Sequence, residues 1–470
     1  MRSVQAGAGQ GFSKKEALMN RLLRGGVAAV VLAALLGTTL WAVSVPSVKF
    51  SDTKLKNGLR VIISEDHTAP VFSIVITYNV GSRNERKGRT GFAHLFEHMM
   101  FKGSENVGAR EHNFLIANNG GTMNGTTNEE RTLYFEAVPS NQLELILFLE
   151  ADRMRSLDVS QANLDNQREV VKEERRLRLD NEPYGKSGER QQELMFDNFA
   201  YKHSVIGSMD DLSAATVADV RDFFRIYYAP NNAVLAVVGD VKAADALARV
   251  RKYFESIPSQ PAPPEPDMTE PPQAKEKRLA LDDALARLTR LDIGWHTPAG
   301  LTADYDALSV LGTILSGGRS SRFYENIVRQ KQLAMSVMGN AMEARGPSMF
   351  RVMGMVAPGK TVADLEAAVY EEIEKVKTGK IEDWEIEKAR NNARRSFLSS
   401  TGSSLFRAMM LSQYAVYYND PNLINTRFER IGKVTAADVQ RVAQKYLTPE
   451  NRTVVITNPK PVSPAQKGGE

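Results

Sequence analysis

Apolar and polar residues follow one another along this chain in patterns that predict strands beside long helices. Residues 58–85 contain two alternating apolar runs, which predict a β-hairpin. Apolar residues then recur with the helical period in several stretches: 88–103, 109–119, 139–156, 160–180, 304–315 and 363–376. Hairpins and long helices without regular β-α-β alternation favour α+β sandwich domains, in which a mixed, largely antiparallel sheet is packed with helices.

A proline-rich stretch divides the chain into halves of similar size. Residues 258–272 read PSQPAPPEPDMTEPP, and proline at this density is excluded from helix interiors and central strands. Such a composition favours an extended spacer, so it predicts a linker between two domains. The predicted domains are 49–257 and 273–460, followed by a flexible tail at 461–470.

The two halves end in the same motif. Each copy, beginning at Thr216 and at Thr435, reads as a threonine-capped helix, a Pro-Asn turn and a β-rich run. Identical residues recur at a constant offset of 219: Asp219 and Asp438, Val220 and Val439, Tyr227 and Tyr446, Pro230 and Pro449, Asn232 and Asn451. A fixed offset of this kind indicates internal duplication, so two homologous α/β sandwich domains are expected.

The charge of the chain is concentrated at its beginning. Residues 1–24 contain five basic residues and one acid, which accounts for the whole net charge of +4. Residues 25–470 are therefore neutral overall, and the basic patch that nucleic-acid binding needs is not predicted. The uncharged apolar residues 25–48 follow the basic stretch, in the order of a signal peptide or N-terminal signal anchor over 1–48. This order predicts a periplasmic protein, with anchoring to the inner membrane by residues 25–48 as the alternative to cleavage.

The segment GRTGFAHLFEHMMFKG carries the candidate chemistry. His94 and His98 are four residues apart, so on a helix both imidazoles lie on one face, where together they can bind zinc. Glu97 lies beside them and could hold an attacking water and take its proton, as in metallopeptidases. Since the chain has no cysteine, a zinc ion would be held by histidine and carboxylate alone.

A catalytic zinc site usually has three protein ligands and one open position, so a third ligand is expected elsewhere. The charged helical stretch that begins at Asn163 offers Glu169, Glu173 and Glu174. Most of the charges on such a helix form ordinary ion pairs at the surface.

Taken together, these features resemble the pitrilysin/insulinase family of zinc metallopeptidases, which has the inverted His-x-x-Glu-His motif. The resemblance rests on that motif, the downstream glutamates, the segment GGTMNGTTNEERTLYFEAVP and the duplicated halves, and it covers about residues 49–460. The length is similar to that of bacterial relatives of the mitochondrial processing peptidase beta subunit. In that family the third zinc ligand is a glutamate about 76 residues after the second histidine, which corresponds to Glu174. Glu173 is the competing ligand, and the resemblance implies that Glu169 orients a ligand.

The segment from Gly120 to Tyr134 resembles the family's edge strand beside the zinc. The resemblance implies that a peptide substrate adds to this edge as a further strand, gripped through its main chain. Asn124 would fix the peptide near the scissile bond, and Gly125 stands where family members usually carry alanine. The plain alternative is a glycine-rich turn followed by an ordinary strand from Thr132 to Val138.

The second half departs from the family pattern. Members with complete sites carry an arginine and, six or seven residues later, a tyrosine that together steady the carbonyl oxygen as it gains charge. Arg329 is present here, but the tyrosine position is Met335, which has no hydroxyl to donate. The resemblance therefore implies a heterodimer with a homologous, metal-less subunit that supplies the Arg/Tyr pair, with a homodimer as the alternative.

The predicted function is that of a zinc-dependent endopeptidase that acts on peptides or unfolded segments, with Glu97 as general base. The alternative is a non-catalytic or partner-dependent peptide-binding subunit of a heterodimeric peptidase. Such subunits commonly lose zinc-site residues, whereas His94, Glu97, His98 and Glu174 are all present here. The sequence therefore favours the enzyme.

Overall fold

The computed structural model describes residues 47–460, which form two β-sheets packed against helices. The first sheet has six strands in the order β1-β2-β6-β3-β5-β4, and all neighbouring pairs except β2 and β6 are antiparallel. Its strands are β1 (Ser51–Lys54), β2 (Arg60–Glu65), β3 (Val71–Tyr78), β4 (Thr122–Thr127), β5 (Thr132–Pro139) and β6 (Ala233–Gly239). The α-helices of this half are α1 (Phe92–Met99), α2 (Glu111–Asn118), α3 (Leu143–Ser156), α4 (Gln161–Arg175), α5 (Gly185–Met195), α6 (Phe199–Lys202), α7 (Met209–Ser213), α8 (Val217–Tyr227) and α9 (Ala243–Phe254).

The second sheet has five strands in the order β7-β11-β8-β10-β9, with one parallel pair, β7 and β11. Its strands are β7 (Lys277–Asp283), β8 (Arg290–Thr297), β9 (Ala334–Ala341), β10 (Ser348–Val356) and β11 (Arg452–Pro459). Its helices are α10 (Ala303–Ser316), α11 (Val362–Thr378), α12 (Asp383–Thr401), α13 (Ser404–Tyr418), α14 (Leu423–Lys433) and α15 (Ala436–Tyr446). Both sheets are mixed and largely antiparallel, as the α+β prediction requires.

The predicted hairpin over residues 58–85 is wrong, because β6 lies between β2 and β3. β2 runs parallel to β6, and β3 runs antiparallel to it. In β3 every residue after Val71 is buried, and β6 is buried throughout. A central strand that is covered on both faces reads as an apolar run, and such a run does not identify its neighbours in the sheet.

The internal duplication is visible in matching hydrogen bonds at the ends of the halves. Thr216 and Thr435 each form a capping box with the aspartate three residues later. Asn232 donates its side-chain amide to the carbonyl oxygen of Tyr227 at 2.8 Å, and Asn451 makes the same bond to Tyr446 at 2.8 Å.

Each half also contributes a helix to the sheet of the other half. Helix α5 lies against β8 and β11, where Ser187 and Thr457 share a hydrogen bond of 2.6 Å. Helix α13 lies against β3 and β6, where the Thr77 hydroxyl donates to Ser412 at 2.8 Å. These two helices begin at residues 185 and 404, which are separated by the same offset of 219. Their exchange joins the two sheets into one packed body. The predicted linker, residues 258–272, contains no helix or strand, and the domain boundaries stay predictions.

The predictions for the two ends of the chain fall almost wholly outside the described residues. Residues 1–46 of the predicted leader, and the whole predicted tail at 461–470, lie outside the described residues. Between residues 47 and 460, no helix is long and apolar enough to cross a membrane. On that finding the predicted periplasmic location with a possible inner-membrane anchor is wrong.

Candidate metal centre

Helix α1 presents His94 and His98 on one face. The opposite side of the helix packs into the core of the first half through its apolar residues, Phe92, Leu95, Phe96 and Met99. The two imidazoles therefore project from the same side, half-buried, with their ring centroids 4.8 Å apart. This is the arrangement that the four-residue spacing predicts.

Helix α4 places Glu174 against the two histidines. Its Oε2 atom lies 3.6 Å from His94 Nε2 and 3.2 Å from His98 Nε2. Three ligands of a tetrahedral zinc ion, each about 2.0–2.2 Å from the metal, would be about 3.3 Å from one another. Two imidazoles and a carboxylate at these separations fit zinc in both chemistry and spacing.

The electrostatics of His94 and Glu174 favour the forms that bind a metal. Burial, followed by the nearby His98, lowers the pKa of His94 to about 4, so this imidazole is neutral at pH 7. The hydrogen bond with His98 holds the pKa of Glu174 below its ordinary value, so the carboxyl is ionised. Neutral imidazole and ionised carboxylate are the ligand forms that zinc requires.

Glu97 lies on the same helix and contacts the edge strand β4. Its Oε2 atom accepts a hydrogen bond of 2.6 Å from the Thr127 hydroxyl, and burial raises the pKa of its carboxyl. A side chain at Gly125 would place its Cβ only 2.9 Å from the Glu97 Cγ atom. Strand β4 therefore fixes the orientation of this carboxylate from one side.

The two other glutamates of α4 point away from the centre. Glu173 pairs with Arg176 at 2.9 Å, and 56% of its side chain is exposed. Glu169 is also exposed and pairs with Lys172, so the predicted contact with a ligand is corrected. The reason is geometric: five residues along a helix correspond to a rotation of about 140° relative to Glu174.

Strand β4 lies at the edge of the described first sheet, with β5 as its neighbour. The side chain of Asn124 is exposed there and accepts the N–H of Gly125 at 2.9 Å. Strand β4 also contacts the metal-site helix α1. The roles of Asn124 and Gly125 toward a substrate stay predictions.

The predicted substrate residue of the second half is placed differently. Arg329 lies on a wide helical turn at Phe323–Gln330, exposed, and pairs with Glu325 one turn earlier. Within residues 47–460 it has no hydrogen bond or ion pair with a residue of the first half, so the fold does not bring it to the metal centre, and its role toward a substrate stays a prediction. Met335 is 60% exposed on β9, the edge strand of the second sheet.

Two contacts at the centre were missed from the sequence. Thr127 is two residues beyond Gly125, and side chains at that spacing share one face of a strand, so both meet Glu97. Arg178 is one helical turn after Glu174 and pairs with its Oε1 atom at 2.8 Å. Both spacings are present in the sequence, but they indicate these contacts only when the ligand Glu174 and the position of strand β4 are known.

The chain is similar to known proteins along most of its length. A model described as insulinase (peptidase family M16) matches residues 60–202, and one described as peptidase M16 inactive domain matches residues 214–393. The zinc protease PqqE of Helicobacter pylori is 31% identical over 432 residues, covering 91% of this chain and 97% of that protein. The probable mitochondrial-processing peptidase subunit beta of Arabidopsis thaliana is 24% identical over 426 residues, covering 87% and 78%. The crystal structure of a protease from Helicobacter pylori superposes with a TM-score of 0.84 at 31% identity, covering 88% of this chain and 100% of that one.

Proposed function

The chain belongs to the insulinase family, peptidase family M16, and from that premise we propose that it is a zinc-dependent endopeptidase of peptides or unfolded segments. The predicted family and the two-sheet α/β fold are both confirmed. The single observation that carries the proposal is the grouping of His94, His98 and Glu174 within zinc-ligand spacing. The family members named zinc proteases support the metal.

His94, His98 and Glu174 would hold the metal, which when bound polarises a peptide carbonyl and acidifies water. Glu97 would take the proton of the attacking water and pass it to the departing amine. Burial suits it to both tasks, since a raised pKa keeps the carboxyl closer to the pH at which it must gain and lose that proton. Its bond from Thr127 would keep the carboxylate directed at the reacting centre.

The free edge of β4 would hold the substrate. Main-chain hydrogen bonds along an edge strand grip an extended peptide of any sequence, so this mode requires an unfolded segment. Asn124 is exposed on this strand, one residue before Gly125 and three residues before Thr127, and both of those residues contact Glu97. This position supports the predicted role of Asn124 in holding the peptide near the scissile bond.

A partner subunit is part of the proposal. Arg329 is paired with Glu325, and methionine occupies position 335, so a donor pair for the carbonyl oxygen would come from a homologous, metal-less subunit. The chain alone should then cleave peptides slowly, about 10²–10³-fold below the assembled enzyme. Size-exclusion chromatography of the purified chain, combined with cleavage assays, tests this arrangement. Full peptidase activity of a monomer would contradict it, and a self-associated active form would favour a homodimer.

The second candidate function is a peptide-binding subunit without catalysis of its own. It is favoured by the match of residues 214–393 to a model described as an inactive domain. That match begins after the last candidate ligand, Glu174, and lies mostly in the second half, whereas all three candidate ligands lie in the first. The zinc-dependent endopeptidase is therefore the better supported of the two functions.

Metal removal tests the proposed function. The purified chain is stripped with a chelator, reconstituted with zinc or with magnesium, and incubated with a mixed peptide pool that is read by mass spectrometry. We expect cleavage to disappear on stripping and to return with zinc alone. Cleavage that survives complete removal of zinc would contradict the proposal, and a zinc-loaded chain that leaves the pool intact would favour the binding subunit.

A further inference from the structure

A buried carboxylate outside the metal centre caps the helix that carries the metal-site histidines. Helix α1 begins after Gly91, which has a left-handed backbone (φ 84°) and no side chain to cap the helix. Glu85 supplies that cap: its Oε2 accepts the N–H of Gly91 at 2.9 Å, and its Oε1 accepts the N–H of Ala93 at 2.7 Å. The first N–H groups of a helix need such partners, and a negative charge at this end is favourable.

His203 completes the environment of this carboxylate. Its Nε2 lies 2.9 Å from Glu85 Oε2, and its Nδ1 lies 2.8 Å from the carbonyl oxygen of Phe199. A carbonyl oxygen only accepts, so Nδ1 carries a hydrogen. The contact between Nε2 and the carboxyl then requires one further proton, on the imidazole or on the carboxyl. Without it, two lone pairs would face each other inside the protein.

The direction of the pKa shifts agrees with a retained proton. Burial opposes the charge of His203, but the hydrogen bond and the charge of Glu85 raise its pKa above the ordinary value for histidine. Burial raises the pKa of Glu85, while the bond from His203 opposes that rise. The other titratable groups that face the pair are Glu129, near the imidazole, and Tyr227, near the carboxyl.

The segment that follows His203 contacts both elements of the metal centre. The Asp211 carboxylate accepts the N–H and the hydroxyl of Thr90, at 2.9 and 2.5 Å, just before α1. The carbonyl oxygen of Gly207 accepts a 2.7 Å hydrogen bond from Arg175, the residue that follows Glu174. A Cβ at Gly207 would lie 2.4 Å from the Thr90 carbonyl oxygen, so the two backbones are in close contact.

We propose that Glu85 and His203 form a positioning pair that holds α1 in register with α4 as long as the pair retains its shared proton. This inference rests on the proposed function and names a residue pair that governs the same site. Loss of the proton would place an imidazole lone pair against the carboxylate that caps α1. The histidines of α1 would then move away from Glu174, and the site would lose affinity for zinc at alkaline pH.

Two variants of His203 separate the proton from the packing. His203→Gln places an amide N–H near the position of Nε2, so it donates to Glu85 without titrating. His203→Leu fills the space and leaves a buried carboxylate with one partner fewer. His67→Gln is the matched control, because His67 also pairs with acids, Asp240 and Glu65, but is exposed and remote from α1.

The measurement is zinc affinity between pH 6 and pH 10, by competition with a chromogenic chelator. At pH 7 we expect His203→Gln and His67→Gln to stay close to the unaltered chain, and His203→Leu to bind about 10–100-fold more weakly, the range typical of outer-shell partners. Toward the alkaline end of this range the unaltered chain and His67→Gln should lose affinity more steeply than His203→Gln.

Parallel pH profiles for the unaltered chain and His203→Gln would overturn the inference, and this comparison decides it even if His203→Leu fails to fold. Peptide cleavage, followed in the same samples, keeps the two proposals distinguishable. A chain that binds zinc and cleaves nothing would contradict the proposed function, while the affinity profiles would still decide the role of the pair.

Discussion

Replacing Glu174 by glutamine tests which glutamate completes the metal centre. Glutamine keeps the shape of the side chain but removes its charge, at a position where Oε2 lies 3.2 and 3.6 Å from the two imidazole Nε2 atoms. Changing a residue that merely supports a ligand weakens metal binding by about 10–100-fold. Loss of a charged ligand should exceed that range, so we expect zinc affinity to fall by more than about 100-fold, or about 2.8 kcal/mol.

Glu173→Gln is the matched control on the neighbouring residue. Glu173 pairs with Arg176 at the surface, and an exposed ion pair contributes about 0–1 kcal/mol. We expect the zinc affinity of this variant to stay within about twofold of the unaltered chain. The assay is chelator competition at pH 7.5, with circular dichroism to establish that both variants are folded. Equal losses in the two variants, or a larger loss for Glu173→Gln, would refute the geometric reasoning.

Three other substitutions test separate parts of the structure. Arg153 is buried with two carboxylates in the first half, so Arg153→Met should cost about 3–5 kcal/mol in urea unfolding. The bond from Arg407 lowers the pKa of Asp66 to about 2, so the pair stabilises the fold above pH 4 and is lost as the pH falls toward 2. Asp66→Asn should therefore cost about 1–2 kcal/mol at pH 7 and less at pH 3. Thr127→Val removes the hydrogen bond to Glu97 and should lower kcat about tenfold with unchanged zinc content.

The sequence predicted the local part of the site and not the part made by distant contacts. His94 and His98 were readable because four residues on a helix fix their relative direction. Glu174 needed the family resemblance, because the packing of α4 on α1 brings together residues 76 positions apart. No local pattern could identify Glu85 and His203 as partners, since they are 118 positions apart.

The fold shows the same division between local and distant information. Helix α11 was predicted at 363–376 and spans Val362–Thr378, because its apolar spacing is a local property. The position of β6 between β2 and β3 could not be read from the sequence, since the apolar residues of a strand do not identify its neighbours in the sheet. The exchange of α5 and α13 between the sheets likewise depends on contacts across the two halves.

The variant Glu97→Gln tests whether Glu97 works as the base beside a bound zinc ion. Zinc content is measured by atomic emission, and cleavage of the peptide pool is followed on the same samples. Glutamine cannot accept the proton, so we expect unchanged zinc content and a loss of cleavage of about 10²–10⁴-fold. Cleavage at the rate of the unaltered chain, with zinc still bound, would show that Glu97 is not the base.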